Sequence, residues 1–128
     1  MDKTIRIDNR QVLFRKTGGT ALRYKRQFGR ELNADLEKIY AVYHDLVKNN
    51  DGAQKSDDAE KDAAIHAMLG VETEWMYDIA YTMAQQADPT ITNELDWLDS
   101  FNVFNIWAVF MELFDLIKEE MRVHPKNA

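Results

Sequence analysis

FRKTGGTALRYKRQFGRELNADL (Phe14–Leu36) takes this 128-residue chain from the end of a strand into two successive helices. The pair Gly18-Gly19 is typical of a turn that ends the strand. Thr20 suits the N-cap of a basic helix over Ala21–Phe28, and Gly29 suits its end. The stretch then enters a second, acidic helix, so it predicts a helical domain that begins after a strand.

The residues before this stretch predict a β-hairpin over residues 1–16. Apolar and polar residues alternate on both sides of Asp8-Asn9, a pair that tolerates the positive φ of a tight hairpin turn. The alternation assigns four side chains to one buried face: Ile5, Ile7, Val12 and Phe14. A two-stranded hairpin is marginal by itself, so we expect it to pack on helices or to pair with the edge of another chain.

The residues after this stretch predict an amphipathic helix over Asn33–Lys48, capped by Asn33. Apolar residues recur from Leu36 onward at helical spacing, and Asp35 is assigned to the opposite, polar face. Residues 17–49 therefore hold a basic helix and an amphipathic helix. Residues 50–62 are polar and predict a loop.

Residues 63–128 predict a helical part. A helix over Val71–Gln86 ends at Asp88-Pro89, because the residue before proline is driven out of helical geometry. A short helix is expected to begin at Thr92 or Asn93, and a final helix is expected over Val103–Arg122, capped by Ser100 or Asn102. Together these patterns predict a mainly α fold, a single small helical domain with an N-terminal β-hairpin.

The final helix is apolar nearly all round, since twelve of the fifteen residues in Val103–Ile117 are apolar. Such a helix is either enclosed by the core or covered on one side by another protein, and the sequence leaves both alternatives open. In the second case five of its side chains would form a binding surface: Phe104, Trp107, Phe110, Met111 and Phe114. The apolar run is shorter than the ~20 residues that cross a membrane.

Charge divides the chain unevenly. Residues 1–30 carry nine Lys and Arg against two Asp, whereas the remainder carries seven against twenty Asp and Glu. Arg23, Lys25 and Arg26 lie in the basic part and form either a face for an acidic partner or an ordinary solvated surface.

Residues with catalytic or metal-binding chemistry occur without the spacing that such sites need. There is no cysteine, and His44, His66 and His124 fit no metal-binding motif. Ser56 and Ser100 lie outside any nucleophile elbow. We therefore expect no catalytic residues, no metal site, no cofactor and no enzyme activity.

Two patterns of the chain, TGG-x-ALRYK-x-QFG near its start and AY-x-MA-x-QAD followed by WL-x-SF further on, occur in the order and spacing of a known family. With the hairpin and the helix over 36–47, they make the chain resemble the tail assembly chaperones of long-tailed phages and prophages of Gram-positive bacteria. The resemblance covers most of the chain and is weakest over residues 52–61.

The resemblance implies a non-enzymatic assembly factor in the host bacterial cytoplasm. Such chaperones coat the tape measure protein and help to recruit tail tube (major tail) subunits, and self-association would place several copies along one client. The alternative is a small nucleic-acid-binding regulator that uses the basic N-terminal third, although a pI near 5.0 and the lack of a helix-turn-helix pattern make nucleic acid a poor partner.

Overall fold

The computed structural model describes residues 1–38 and 72–121, which are mainly helical and begin with an antiparallel hairpin. The elements are β1 (Asp2–Ile7), β2 (Arg10–Arg15), α1 (Thr20–Phe28), α2 (helical residues 32–38), α3 (Glu74–Ala87), α4 (Glu94–Asp99) and α5 (Ile106–Met121). The predicted fold class is confirmed. The predicted loop over 50–62 and the predicted helical segments within 39–71 lie outside the described residues.

The hairpin forms as the alternation predicts. Asp8 and Asn9 have φ values of 54° and 66°, so a two-residue turn joins β1 to β2. In the register Ile5 lies opposite Val12, and the inward side chains of both strands are buried. The strands thus present one apolar face to the helices and one polar face to solvent.

The start of α1 differs from the prediction. Gly19, not Thr20, occupies the N-cap, and no side chain caps the helix. The Thr20 hydroxyl instead accepts a hydrogen bond from the Thr17 N–H (2.9 Å) and donates one to Gln86 Oε1 (2.7 Å), which ties α1 to α3. Gly29 ends the helix in the left-handed conformation (φ 75°), as predicted.

The start of α2 also differs. Helical residues begin at Leu32, where the Glu31 carbonyl accepts the Asp35 N–H, so Asn33 lies inside the helix and is not its cap. Asp35, assigned to the polar face, is buried. Its burial follows from a charge network with distant residues, described below.

Helix α3 is central to the core, because it contacts β2, α1 and α5. Trp75, Ile79 and Met83 are buried along one side as predicted, and the adjacent small or flexible residues are buried as well. The helix ends at Asp88, whose backbone is extended (φ −137°, ψ 92°) before Pro89, which confirms the predicted stop.

The N-cap of α4 agrees with the prediction, whereas the N-cap of α5 does not. Asn93 caps α4, with its side-chain oxygen accepting the Asp96 N–H at 2.8 Å, as expected. Helix α5 begins at Ile106, three residues later than expected, and Asn105 Oδ1 accepts the Ala108 N–H at 3.2 Å. Neither predicted cap, Ser100 or Asn102, holds, because the helix starts further along the chain and Asn105 supplies the capping oxygen.

One hydrophobic core joins the described elements. The inner face of the hairpin, α3, α5, and Trp97 of α4 contribute to a single cluster of buried side chains. Phe14 of β2 meets Trp97 edge to face, with ring centroids 6.3 Å apart. The hairpin is therefore stabilised by the helical layer beneath it.

Candidate protein-binding surface

The structure divides the apolar residues of α5 into core and surface. Phe110 has no exposed surface, and its ring meets Trp75 edge to face with centroids 5.4 Å apart. Its assignment to a binding surface is therefore wrong. On the helical wheel Phe110 points to the same side as Leu113 and Ile117, which are also fully buried.

Phe104, Trp107 and Phe114 are half-buried and pack against the edge of the core. Phe104 precedes the helix, where its ring lies 5.3 Å from that of Phe101 and 5.5 Å from that of Trp97. Most of the Phe104 ring is thus used in packing α4 against the start of α5. Of these three residues, Trp107 and Phe114 lie on α5 itself.

Trp107, Met111 and Phe114 form one stripe of α5, at spacings of four and three residues. We call this stripe the α5 shoulder. Met111 lies in its middle and is 50% exposed. Val103, just before the helix, is 64% exposed, and the sequence analysis did not single it out. The shoulder is an apolar surface on the helix that the sequence marked as a candidate.

The strand β1 packs against α5 and is tied to it by Lys3. Lys3 donates to the Glu112 carbonyl at 2.9 Å and to Asp115 Oδ2 at 3.1 Å. Its hydrogen bond and charge lower the pKa of the Asp115 carboxyl. Asp115 lies one turn after Met111, so Lys3 of the hairpin contacts α5 beside the shoulder.

The predicted basic residues of α1 lie together on its solvent-facing side. Arg23, Lys25 and Arg26 are exposed and surround Leu22, whose side chain is 52% exposed. Lys25 forms an ion pair with Glu31, and Lys25 and Arg26 lie in the last turn, where cations favour the helix dipole. The basic residues of α1 and the α5 shoulder therefore lie on different helices.

A buried charge network, which the sequence analysis missed, holds α1, α2 and α3 together. The Arg30 guanidinium donates to Asp35 Oδ2 at 3.0 Å, to Asp78 Oδ2 at 2.5 Å and to the Tyr24 hydroxyl at 2.8 Å. Asp35 and Asp78 are only 2% and 3% exposed. Burial opposes ionisation of Asp35, but hydrogen bonds from Tyr24, Lys38 and Arg30 outweigh it and lower the pKa of that carboxyl.

Glu94 extends this network to α4. Burial, followed by the hydrogen bond and negative charge of Asp78, raises the pKa of the Glu94 carboxyl to about 8. At neutral pH Glu94 is therefore mostly protonated and can donate to Asp78. The network links α2 to α3, because Arg30 pairs with both buried carboxylates, Asp35 of α2 and Asp78 of α3.

Across residues 1–38 and 72–121, no group of three or more His, Cys, Asp or Glu side chains is placed to hold a metal ion. His44, His66 and His124 lie outside the described residues. In the part of the chain that the structure describes, no helix combines the length and apolar character needed to span a membrane.

Comparison with models of known protein families gives no match, and comparisons with curated proteins and with solved structures give none either.

Proposed function

We propose that this protein is a phage tail assembly chaperone, which binds and solubilises the tape measure protein and helps to recruit tail tube subunits. The support from sequence is the ordered pair of patterns over residues 17–29 and 80–101. The support from geometry is the α5 shoulder, an apolar stripe with the exposed Met111 at its centre.

The α5 shoulder suits a client that is a long amphipathic helix. A helix can lay its apolar face against another apolar stripe, with anchors at the same three- and four-residue spacing as Trp107, Met111 and Phe114. Methionine repacks easily around different neighbours, which suits a surface that meets many sites along one client. Covering the client's apolar face keeps it from aggregating.

Several weak contacts along one client can act together. When many copies line one helix, each bound copy raises the effective concentration of the next contact, so the assembly is tight although each shoulder is small. The basic residues Arg23, Lys25 and Arg26 supply a second contact, to an acidic surface of the client or of a neighbouring copy.

The test is co-expression with the tape measure protein encoded in the same genome, followed by measurement of client solubility and of co-purified chaperone. We expect a soluble complex with many chaperone copies per client. Met111→Asp places a charge in the middle of the shoulder and should abolish co-purification while the free protein stays folded.

Leu95→Asp is the matched control, since Leu95 is also exposed (66%) but lies on α4. It should leave the complex intact. Equal loss of binding in both variants would show that the shoulder has no specific role. An insoluble client beside free wild-type chaperone would refute the chaperone function, and steep salt-dependent DNA binding would then support the nucleic-acid alternative.

A further inference from the structure

Two helical segments of the chain carry one residue pattern with opposite charges. LRYKRQF (residues 22–28) and LDWLDSF (residues 95–101) both read leucine, charged residue, aromatic residue, one further residue, charged residue, polar residue and phenylalanine. Both charged positions are arginine in the first segment and aspartate in the second. The first segment lies in α1, and the second forms most of α4 and the residues that follow it.

The pattern gives α1 an exposed basic ridge, which consists of Leu22 and Arg26. Tyr24 is fully buried, and the residues two positions before and after it lie about 160° round the helix from it. Leu22 is accordingly 52% exposed, and Arg26 is exposed one turn further on. Lys25 beside this ridge pairs with Glu31, but Arg26 forms no ion pair with any described residue.

The same pattern gives α4 an exposed acidic ridge, which consists of Leu95 and Asp99. Trp97 is buried and faces the core, so these two residues lie on the opposite side of the helix. Leu95 is 66% exposed, and Asp99 is exposed one turn further on. Arg10 lies near the end of α4, where it donates to Ser100 Oγ at 3.0 Å, but neither Arg10 nor another cation of the described ranges pairs with Asp99.

The flanking charges strengthen the sign of each ridge. Arg23 is exposed beside the α1 ridge, and Asp96 is exposed beside the α4 ridge. Glu94, the remaining acidic residue of α4, is turned toward the buried Asp78 of α3. With the nearby ions of opposite sign counted, the surface of α1 still carries more basic than acidic groups, and that of α4 more acidic than basic.

We propose that the α1 ridge of one copy binds the α4 ridge of a second copy. Both leucines are exposed in a single copy, so the two ridges do not cover each other within it. Between copies leucine covers leucine and arginine meets aspartate, which is an apolar contact with complementary charges around it. The inference deepens the proposed function, in which the basic residues meet an acidic surface of the client or of a neighbouring copy, because the matching ridge identifies the neighbouring copy.

The equal spacing of the two ridges sets the direction in which the helices pack. With α1 and α4 parallel, contact between Leu22 and Leu95 of the second copy brings the charged ends of the ridges together. Arg26 then pairs with Asp99 of the second copy. With the helices antiparallel, the same leucine contact would place Arg26 beside Ile91 and leave both ions unpaired. In the parallel alignment residues 20–28 lie level with residues 93–101, and no two charges of the same sign are level with each other.

The contact uses different surfaces of the two copies, so each bound copy keeps one ridge available. A heterologous contact of this kind adds copies head to tail, in a ring or an open array. It is small and its ion pairs are exposed, so a single contact is weak and is screened by salt. Copies that one client already holds side by side would be joined by it more strongly.

Charge reversal tests the pairing in the full chain, without client, by sedimentation. Wild type should show a mass that rises with concentration above its 14.9 kDa monomer. Arg26→Glu and Asp99→Arg should each weaken self-association about tenfold, because attraction between the ridges becomes repulsion. Mixing the two variants should restore the wild-type association, since every contact between unlike variants again pairs opposite charges.

Two variants with the same charge changes on other surfaces are the controls. Arg6→Glu lies on β1 and Glu72→Arg precedes α3, and both residues are exposed. Neither should weaken association, and circular dichroism should show the wild-type fold in all four variants. A wild-type chain that stays monomeric up to about 1 mM would refute the contact. Association that the mixture fails to restore would also refute it, because another surface would then hold the copies.

The natural chain has no cysteine, so introduced thiols can test the register. Packed helices lie about 8–10 Å apart, within reach of a short bis-maleimide. Leu22→Cys and Leu95→Cys should cross-link when the two variants are mixed, whereas each alone should cross-link no faster than random collision allows. Leu22→Cys mixed with Met111→Cys is the matched control, since Met111 is also half-exposed but lies on α5. Equal cross-linking in the two mixtures would overturn the proposal.

Client binding separates this contact from the proposed function. Each copy is held on its client by the α5 shoulder, so Arg26→Glu and Asp99→Arg should still co-purify with the tape measure protein. Leu95→Asp should do the same, although it removes the contact between free copies. A monomeric wild type that still binds client would refute the contact and leave the chaperone function standing, whereas self-association without client binding would refute the chaperone function alone.

Discussion

Phe110 and Met111 are neighbours in sequence with opposite environments, and replacing each by alanine tests how α5 is oriented. Phe110 is fully buried against Trp75, whereas half of the Met111 surface is exposed. If the helix is packed as described, Phe110→Ala should destabilise the fold and Met111→Ala should not. The two variants share the same helix and nearly the same sequence position, so each is a control for the other.

The expected magnitudes differ severalfold. Truncating a fully buried phenylalanine to alanine costs about 3–5 kcal/mol of unfolding free energy, which includes the lost edge-to-face contact with Trp75. For a chain of this length, with an unfolding entropy of roughly 270 cal/mol/K, a loss of about 4 kcal/mol lowers Tm by about 15 °C. Met111→Ala should stay within about 0.5 kcal/mol of wild type.

Urea unfolding, followed by circular dichroism, gives both values, with thermal melts as a second measurement. Phe110→Leu keeps most of the buried volume and should lose only about 1–2 kcal/mol, so it gives a folded reference if the alanine variant is too unstable. A loss below about 1 kcal/mol in Phe110→Ala, or equal losses at the two positions, would refute the described packing of α5.

Three further predictions concern the charge network and a helix cap, and each is checked by urea midpoints. Arg30→Met should cost about 3 kcal/mol, because it removes the guanidinium that pairs with Asp78 and leaves Lys38 as the remaining cation beside Asp35, while water can still reach the partly exposed site. The folded state holds a proton on Glu94 that the unfolded state releases, so stability should fall as pH rises from about 5 to about 8, and Glu94→Gln should flatten this slope. Asn93→Ala should cost about 1 kcal/mol through loss of the bond to the Asp96 N–H, and an unchanged midpoint would contradict the assigned cap.

The sequence predicted those features that depend on adjacent residues. The Asp8-Asn9 turn, the end of α1 at Gly29 and the cap at Asn93 each rest on a local backbone preference or a hydrogen bond over a few residues. The alternation in the hairpin is equally local. Each of these predictions is correct because no distant residue competes with the local preference.

Features that depend on distant partners were missed. Asp35 lies at a position that the helical period assigns to solvent, yet it is buried and accepts a hydrogen bond from Arg30, which also binds Asp78 of a helix much later in the chain. The start of α5 is a similar case, since it lies three residues later than expected and Asp8 of the distant hairpin turn accepts the Asn102 N–H just before it. A single sequence carries no signal for such pairings.

The sequence also could not predict which side of α5 is buried, and here the reason is different. When apolar residues surround a helix, periodicity no longer distinguishes the side that faces the core. Packing decides it: β1 covers one flank, α3 covers the centre at Phe110, and Met111 is left exposed. The candidate surface is therefore reduced from five residues to the three of the α5 shoulder, Trp107, Met111 and Phe114.

The α5 shoulder and the basic residues of α1 lie on different elements, and this separation makes their roles independently testable. The shoulder is centred on Met111 of α5, whereas Arg23, Lys25 and Arg26 lie on α1. Because sites without shared partners behave additively, Met111→Asp should remove the shoulder contact and leave the contact of the basic residues with an acidic surface unchanged. If client binding needs several shoulders at once, Met111→Asp should weaken binding to a long client far more than binding to a short client peptide that only one shoulder can reach. Equal effects on long and short clients would show that acting together contributes nothing to client binding.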